Sequence, residues 1–366
     1  MDPRSPARAN DRFRQGELRL ANRTRGIFGS FAAAIACIAG LSASAWAQSA
    51  APSWLDASIL EEARKEGSVT VYSTTNEEEG LPLWKIFEDA TGLKVNYVRA
   101  SDSQLLARVL IENRAGQRSW DIMQTANVNK IPPEFLAQPD LSEGKALFPD
   151  AVAADKRWYG VYSNYNSPAY NSKFVKREDL PKTYEDFAKR KDWAGRVAID
   201  ATDDAWMTGI LMHYGEEKGV QLLKDIIAAT QPVTINGHLA VARAVGSGEY
   251  WIALNNYVNL TVNVKLNGGA TDFWTMEPVV LFFGQVGVAK LAPHPKAALL
   301  AANFSISREA QEFLAKFGRL PTRSDVKTNP TDVLDTIKTR KIVTVLLNTE
   351  EDRRRIKQFN DLFKPR

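Results

Sequence analysis

The chain has 366 residues, of which 44% are hydrophobic and 25% charged, with a formal net charge of +4. That excess lies in residues 1–47, because residues 48–366 carry equal numbers of basic and acidic side chains. A neutral remainder gives no electrostatic support for a nucleic-acid partner, and its length favours two domains.

The N-terminal segment has the pattern of an export signal. Seven arginines precede an apolar, small-residue stretch from Gly26 to Ala45, and Ala45-Trp46-Ala47 forms an A-x-A cleavage site. The sequence therefore predicts a signal peptide over residues 1–47, cleaved near Ala47, and a periplasmic protein. Lipidation at Cys37, the only cysteine, is the alternative, although Ala34-Ile35-Ala36 is a poor lipidation motif.

In the first half, apolar spacing and turn residues predict alternating helices and strands. A polar loop is expected over Thr74–Glu78, and Ser101 is expected to cap a helix. The helices are predicted at Ser58–Glu66 (closed by Gly67), Leu83–Ala90 and Gln104–Asn113, and the strands at Val69–Ser73, Leu93–Val98 and Trp120–Met123.

After a Tyr- and Asn-rich segment, Tyr159–Asn166, the same alternation resumes. Helices are predicted at Tyr184–Lys189, Asp204–Tyr214, Lys218–Ala229, Ala240–Val245 and Arg308–Phe317, and strands at Arg196–Asp200, Tyr250–Leu254, Val279–Phe283 and Val286–Ala289. This rhythm indicates an α/β fold with mixed sheets between helix layers.

Signals for catalysis are nearly absent. His213, His238 and His294 lie far apart without metal-ligand spacing, so each is expected at the surface or in the core. The sequence contains no nucleophile elbow, P-loop or dinucleotide fingerprint. We therefore expect a protein that is not an enzyme, with no catalytic residue, no metal site and no cofactor.

Small polar residues follow the predicted strands, where ligands of open α/β sheets bind. Trp206 and Tyr257 are further candidates, since their rings could stack on an organic ligand. The alternative is that these loops supply only helix caps and turns, and that Trp206 packs in the core. The candidate ligand-binding residues are Ser73, Thr74, Thr75, Ser101, Ser103, Thr125, Asn127, Asp203, Trp206, Asn255, Asn256 and Tyr257.

Several stretches resemble one family of proteins in order along the chain. Val69–Ser73, Pro168–Lys173, Asp192–Val197, Ala292–Ala298 and Ser307–Leu314 are similar to segments of the periplasmic substrate-binding proteins of ABC importers, in the ferric-iron-type branch. The resemblance implies the type II periplasmic-binding-protein fold, in which two lobes, each a mixed β-sheet flanked by helices, are joined by two hinge crossings.

The resemblance also implies a domain division and a mechanism. Lobe one would comprise 48–160 plus 277–320, and lobe two 161–276 plus 321–366. The crossings would be 159–166 and the region of Glu277-Pro278. A monomer of this type closes its hinge on a small ligand and docks on an ABC permease in the inner membrane.

The ligand is less constrained. Iron-binding members present two adjacent tyrosines, whereas here Val258 follows Tyr257. We expect a small organic or oxyanion solute: a phosphonate, a thiamine-like compound, a polyamine or a sugar phosphate. The alternative is ferric iron bound by Tyr257 with other oxygen ligands. Those ligands would come from Glu77, Glu78 or Glu79 and from Tyr162, Tyr165 or Tyr170.

Two other functions use the same scaffold. A periplasmic enzyme would require an acid–base pair in the cleft. A binding protein that signals to a membrane sensor would have the same sequence features as a transport protein.

Overall fold

The computed structural model describes residues 52–346 and 349–363, so the predicted signal peptide and Cys37 lie outside the described residues. The described residues form twelve α-helices and ten β-strands. None of the helices in these two ranges combines the length and the apolar character needed to cross a membrane.

As far as residue 200, the helices and strands follow the predicted alternation closely. They are α1 (Ala57–Glu66), β1 (Ser68–Ser73), α2 (Glu77–Thr91), β2 (Lys94–Arg99), α3 (Asp102–Arg114), β3 (Ile122–Thr125), β4 (Tyr159–Asn171), α4 (Tyr184–Phe187) and β5 (Val197–Asp200).

The remaining elements include several that the sequence patterns did not predict. They are α5 (Asp204–Tyr214), α6 (Glu216–Thr230), β6 (Val233–Ile235), α7 (His238–Ser247), β7 (Ile252–Tyr257), α8 (Val258–Leu266), β8 (Thr271–Phe273), β9 (Val279–Val288), α9 (Pro295–Ser305), α10 (Arg308–Ala315), α11 (Val333–Lys338), β10 (Ile342–Thr344) and α12 (Thr349–Phe363).

Local capping chemistry explains where the early helices begin and end. Gly67 closes α1 in the left-handed conformation at φ 81°, and Ser101 forms a capping box with Gln104 at the start of α3. The predicted loop over Thr74–Glu78 is wrong at its end, because α2 already begins at Glu77. Three glutamates in its first turn favour this start, since the helix N-terminus carries partial positive charge.

The sheet is mixed and runs in the order β2-β1-β3-β9-β4-β7-β5-β6, with β10 beside β9 and β8 beside β4. Strand β1 is parallel to β2 and β3, and β5 is parallel to β6 and β7. The long strand β9 is antiparallel to β3 and β4, and β4 is antiparallel to β7. The two predicted strands Val279–Phe283 and Val286–Ala289 are therefore one strand.

The two long strands position the carboxyl ends of their neighbours opposite each other. Thr125, the last residue of β3, pairs with Gln285 at the level of Gly160. Tyr257, the last residue of β7, pairs with Asn166. Because β3 and β7 run in opposite directions, their carboxyl ends face each other across residues 162–165 of β4 and 281–284 of β9, which we call the floor.

Buried side chains form two main cores. The first contains Trp54, Trp84, Phe87 and Phe304, whose ring centroids lie 4.8–5.7 Å apart. The second contains Tyr184, Phe187, Trp193, Trp206 and Trp274.

The C-terminal segment 321–366, which is expected in lobe two, has buried side chains in both cores. Val333 and Ile337 belong to the first core, whereas Val345, Phe359 and Phe363 belong to the second. The exact lobe boundaries stay a prediction.

Candidate ligand-binding site

The floor carries aromatic and amide side chains on one face. Tyr162 pairs with Gly284 and Asn164 with Phe282, and paired residues of antiparallel strands project to the same side. Gly284 is required here, since a Cβ at this position would lie 2.3 Å from the Tyr162 ring. The absence of a side chain lets the phenol of Tyr162 lie across β9.

The carboxyl ends of β5 and β7 together form what we call the second edge. This edge contacts the floor through Tyr257. Its ring stacks on His238 at a centroid distance of 3.6 Å and an angle of 23°. The other contact is with the Phe282 ring, edge-on at 5.2 Å. Tyr257 remains partly accessible, so it lies at a surface between β7 and the floor.

Two buried carboxyl groups lie behind this stack. Asp203 Oδ2 accepts hydrogen bonds from Asn255 Nδ2 at 2.9 Å and from Asn166 Nδ2, and Oδ1 accepts from the Trp206 amide at 3.0 Å. Asn255 Oδ1 accepts from the Asp200 amide at 2.9 Å. Asp203 and Asn255 therefore hold β5, β7 and the start of α5 together, with their polar atoms used by protein partners.

His238 is buried between the carboxyl groups and an amide. Its Nε2 lies 3.6 Å from Asp203 Oδ2 and 3.8 Å from Asp200 Oδ1, and its Nδ1 lies 3.2 Å from Asn256 Oδ1. Burial lowers the pKa of His238, and burial together with Asp200 raises that of Asp203 well above its ordinary value. Both ring nitrogens face protein groups, and Nδ1 lies within hydrogen-bond distance of Asn256.

The surroundings of the Tyr257 phenol disfavour its charged form. Burial raises its pKa well above the ordinary value, and the nearby carboxyl groups of Asp203, Asp200 and Asp102 add to the effect. Val258, next in the chain, is fully buried in the first core. This end of β7 therefore offers one phenol group rather than two.

The facing first edge is formed by the carboxyl ends of β1 and β3. Ser73 Oγ donates to Gln124 Oε1 at 3.2 Å and accepts from the Thr75 amide at 3.1 Å, and Thr125 Oγ1 accepts from the Asn127 amide at 2.9 Å. Thr75 Oγ1 and Gln124 Nε2 are buried and have no hydrogen-bond partner among the described residues. These two groups have unused hydrogen-bonding capacity at the first edge.

The other predicted loop residues have structural tasks. Ser101 and Ser103 are exposed at the start of α3, where Ser101 is the cap. It is Asp102, between them, that turns inward and accepts from the Ala126 amide at 2.8 Å. The Thr74 amide donates to the Gln124 carbonyl at 3.1 Å.

Trp206 lies in the second core rather than at the site. Its ring is fully buried, its Nε1 donates to the Tyr184 hydroxyl at 3.2 Å, and its ring contacts Phe363. The expectation that it stacks on a ligand is wrong for this structure, because no face of the ring is accessible; the core-packing alternative applies.

The sequence analysis missed one charged pair at the floor. Arg319 Nε donates to Glu79 Oε2 at 2.9 Å, and its guanidinium lies 4.5 Å from the centre of the Tyr162 ring. The two charged side chains keep only 11% and 12% of their accessible surface. Burial opposes the charge of Arg319, but Tyr162 and Glu79 raise its pKa overall. No local motif marks residue 319, because its partner is 240 positions away.

Together these residues form an aromatic wall with a different polar group at each end. The wall consists of Tyr162, Phe282, Tyr257 and His238, with the Arg319–Glu79 pair at one end and Asp200 with Asp203 behind the other. Within the described ranges, no three His, Cys, Asp or Glu side chains are grouped so that they could hold a metal ion. Aromatic side chains with a few polar groups beside them are the kind of lining that binds small, partly apolar solutes.

Solved structures share this architecture. Iron-bound HitA from Pseudomonas aeruginosa superimposes with a TM-score of 0.68 and 21% identity, covering 81% of this chain and 99% of that one. The periplasmic binding protein AfuA from Actinobacillus pleuropneumoniae, with bound fructose-6-phosphate, gives a TM-score of 0.68 and 18% identity, covering 82% and 99%. At these identities the likeness establishes the fold, and it confirms the expected two-lobed type II periplasmic-binding-protein class.

The chain belongs to the bacterial extracellular solute-binding protein family, whose model matches residues 134–345. Among its relatives is Iron uptake protein A1 of Synechocystis sp., 26% identical over 281 residues, which cover 71% of this chain and 77% of that relative. The resemblance to the substrate-binding proteins of ABC importers, in the ferric-iron-type branch, is thereby confirmed.

Proposed function

We propose that this protein binds a small organic solute in the periplasm and delivers it to an ABC permease of the inner membrane. It would reach the periplasm through the predicted signal peptide, act as a monomer, and perform no catalysis. The ligand would lie between the first and second edges, in contact with the floor. Closure would follow because the ligand contacts both edges at once.

The observation that carries the proposal is a single phenol group set in an aromatic wall. Tyr257 stacks on His238 and meets Phe282 edge-on, and the residue after it is buried. Ferric iron favours several anionic oxygen ligands, whereas an organic solute gains from ring contacts and a hydroxyl donor. Asp203 and His238 provide no acid–base pair for an enzyme, since their polar atoms face protein groups.

A thermal-shift panel tests the proposal. We expect at least one of fructose 6-phosphate, methylphosphonate, spermidine or thiamine to raise the melting temperature with increasing concentration. Tyr257→Ala should weaken that response, whereas Tyr250→Ala, a change at the start of the same segment but away from the wall, should not. A panel in which no organic solute shifts the wild type would contradict the proposal.

Ferric iron is the second candidate, and the relative named for iron uptake favours it. Here Tyr257 would be joined by Tyr162 of the floor, although Tyr162 is as buried as Tyr165 and Tyr170. Glu79 would have to leave its pair with Arg319. Iron bound by phenolate gives a visible absorption band, so we expect no such band on adding ferric citrate, in wild type or in Tyr257→Phe. A band that Tyr257→Phe removes would establish iron as the ligand instead.

A further inference from the structure

The charged pair at the floor contains hydrogen-bond donors that the protein does not use. Glu79 takes the Nε edge of the guanidinium, with Nε to Oε2 at 2.9 Å and Nη2 to Oε1 at 3.4 Å. No hydrogen bond among the described residues uses Nη1 of Arg319. A guanidinium offers two such forks, so the fork formed by Nη1 and the remaining Nη2 hydrogen is free.

The position of this fork is fixed from several sides. Tyr162 lies under the guanidinium at 4.5 Å, and Gly284 in turn gives the Tyr162 ring its place. Phe282 follows on the same face and contacts Tyr257 at 5.2 Å. An Arg held by a carboxylate and an aromatic ring has lost most of its rotamer freedom before a ligand arrives, which lowers the entropic cost of binding.

Arg319 also differs in charge from the titratable groups around it. Facing the wall or lying behind it are the carboxyl groups of Glu79, Asp102, Asp200 and Asp203 and the ring of His238, whose pKa burial lowers. The Arg319 guanidinium lies at the end of the wall opposite Asp200 and Asp203 and is the charge that an oxyanion would meet there. One oxyanion at one end of the solute matches this distribution.

We propose that Arg319 is the specificity-determining residue of the site and that its free fork binds one oxyanion, a carboxylate, phosphonate or phosphate, at one end of the solute. Glu79 is a positioning residue, because it orients the guanidinium without contacting the solute. This inference rests on the proposed function, and it selects the anionic members of the solute classes considered above.

Two variants that break the same ion pair separate this role from a purely structural one. Arg319→Gln removes the positive charge, and Glu79→Gln removes the negative charge that competes with a ligand oxyanion. Arg308→Gln is the control, since it breaks an exposed ion pair on α10. Calorimetric titration with fructose 6-phosphate, fructose, methylphosphonate and spermidine measures the affinities, and thermal melting reports folding.

We expect wild type to bind fructose 6-phosphate or methylphosphonate more tightly than fructose or spermidine. Arg319→Gln should weaken the anionic probe about 10- to 100-fold, the loss associated with a charged hydrogen bond. In Glu79→Gln the amide oxygen can still accept from Arg319 Nε and keep the guanidinium oriented. This variant should therefore bind the anionic probe as tightly as wild type or several-fold more tightly, although both variants lose the ion pair. Arg308→Gln should match wild type.

Equal weakening in Arg319→Gln and Glu79→Gln would overturn the inference, since it would show that only the ion pair matters. Unchanged affinity in Arg319→Gln, or tighter binding of spermidine than of the anions by wild type, would overturn it as well. If Arg319→Gln does not fold, the affinity of Glu79→Gln for the anionic probe tests the inference alone. Equal or tighter binding than wild type supports it, and weaker binding overturns it. Wild type that binds none of the four probes would instead count against the proposed function.

Discussion

At the scale of single residues, the second edge concentrates carboxyl groups that the fold keeps away from water. Asp203 is buried with three hydrogen-bond donors around it, and Asp204 follows at the first position of α5. Burial and the nearby Asp352 carboxylate raise the pKa of Asp204 to about 6. Such a group lowers the free energy of unfolding when it is charged, because the charged form is less favourable in the folded protein than in the unfolded chain.

Asp204→Asn should therefore stabilise the protein near neutral pH. Between about pH 4 and about pH 6 the folded chain binds more protons at Asp204 than the unfolded chain, so stability falls as pH rises through this window. Asparagine removes that fall. Melting curves should show a higher melting temperature than wild type near neutral pH and a smaller difference at about pH 4.

Asp225→Asn, an exposed change on α6, serves as the control and should follow wild type at every pH. An Asp204→Asn variant that is less stable than wild type near neutral pH would show that a charged Asp204 stabilises the start of α5 by more than its burial costs.

At the scale of elements, β9 determines the shape of the site. It runs without a break from Val279 to Val288, and Gly284 lies where a side chain would collide with Tyr162. The sequence patterns predicted two strands here because Gly284 and Gln285 interrupt the apolar run. Pairing with β3 and β4 on its two sides keeps the segment extended through these residues.

Gly284→Ala should damage both stability and binding. A Cβ 2.3 Å from the Tyr162 ring forces the ring to move, and with it Arg319. We expect a loss of about 1–3 kcal/mol in the free energy of unfolding, as for other overpacked sites, and weaker binding of whichever solute the panel identifies.

Gly144→Ala is a matched control, since its Cβ would lie 2.7 Å from the Tyr159 ring, outside the floor. It should lose stability without losing affinity. Equal losses of affinity in the two variants would mean that Gly284 affects binding only through global stability.

Local signals predicted much of the fold, whereas the site depends on distant contacts. Gly67 and Ser101 act through neighbours a few residues away, so the ends of α1 and α3 could be read from the sequence. Strand-end residues such as Thr75 and Tyr257 were recognisable because polar side chains follow apolar runs. Arg319 and Glu79 are 240 positions apart and meet only in the folded chain, so no short pattern encodes their contact.

A distant contact also explains why the sequence patterns predicted the wrong place for Trp206. Trp206 lies in the first turn of α5, where its ring can face either the site or the second core. Its hydrogen bond to Tyr184, from another segment, fixes it in the core. Sequence position alone does not distinguish these two orientations.

Across the whole molecule, two sets of parallel strands, β1 with β3 and β5 with β7, have their carboxyl ends facing each other across the floor. Thr125 and Tyr257 end their strands on opposite sides of it, so hinge closure would bring both towards a ligand on the floor. We expect a bound solute to stabilise the entire described unit, by about 2.7 kcal/mol at a free concentration of about 100 times Kd. Chemical denaturation with and without the solute checks this, and an unchanged midpoint would mean that the solute binds unfolded chain equally well.

Native mass spectrometry after incubation with the solute panel and ferric citrate tests the central claim most directly. We expect a complex that contains one organic solute per chain. This complex should disappear under denaturing conditions and be less abundant in Tyr257→Ala. A complex that contains only ferric ion, or no complex with any organic solute, would contradict it.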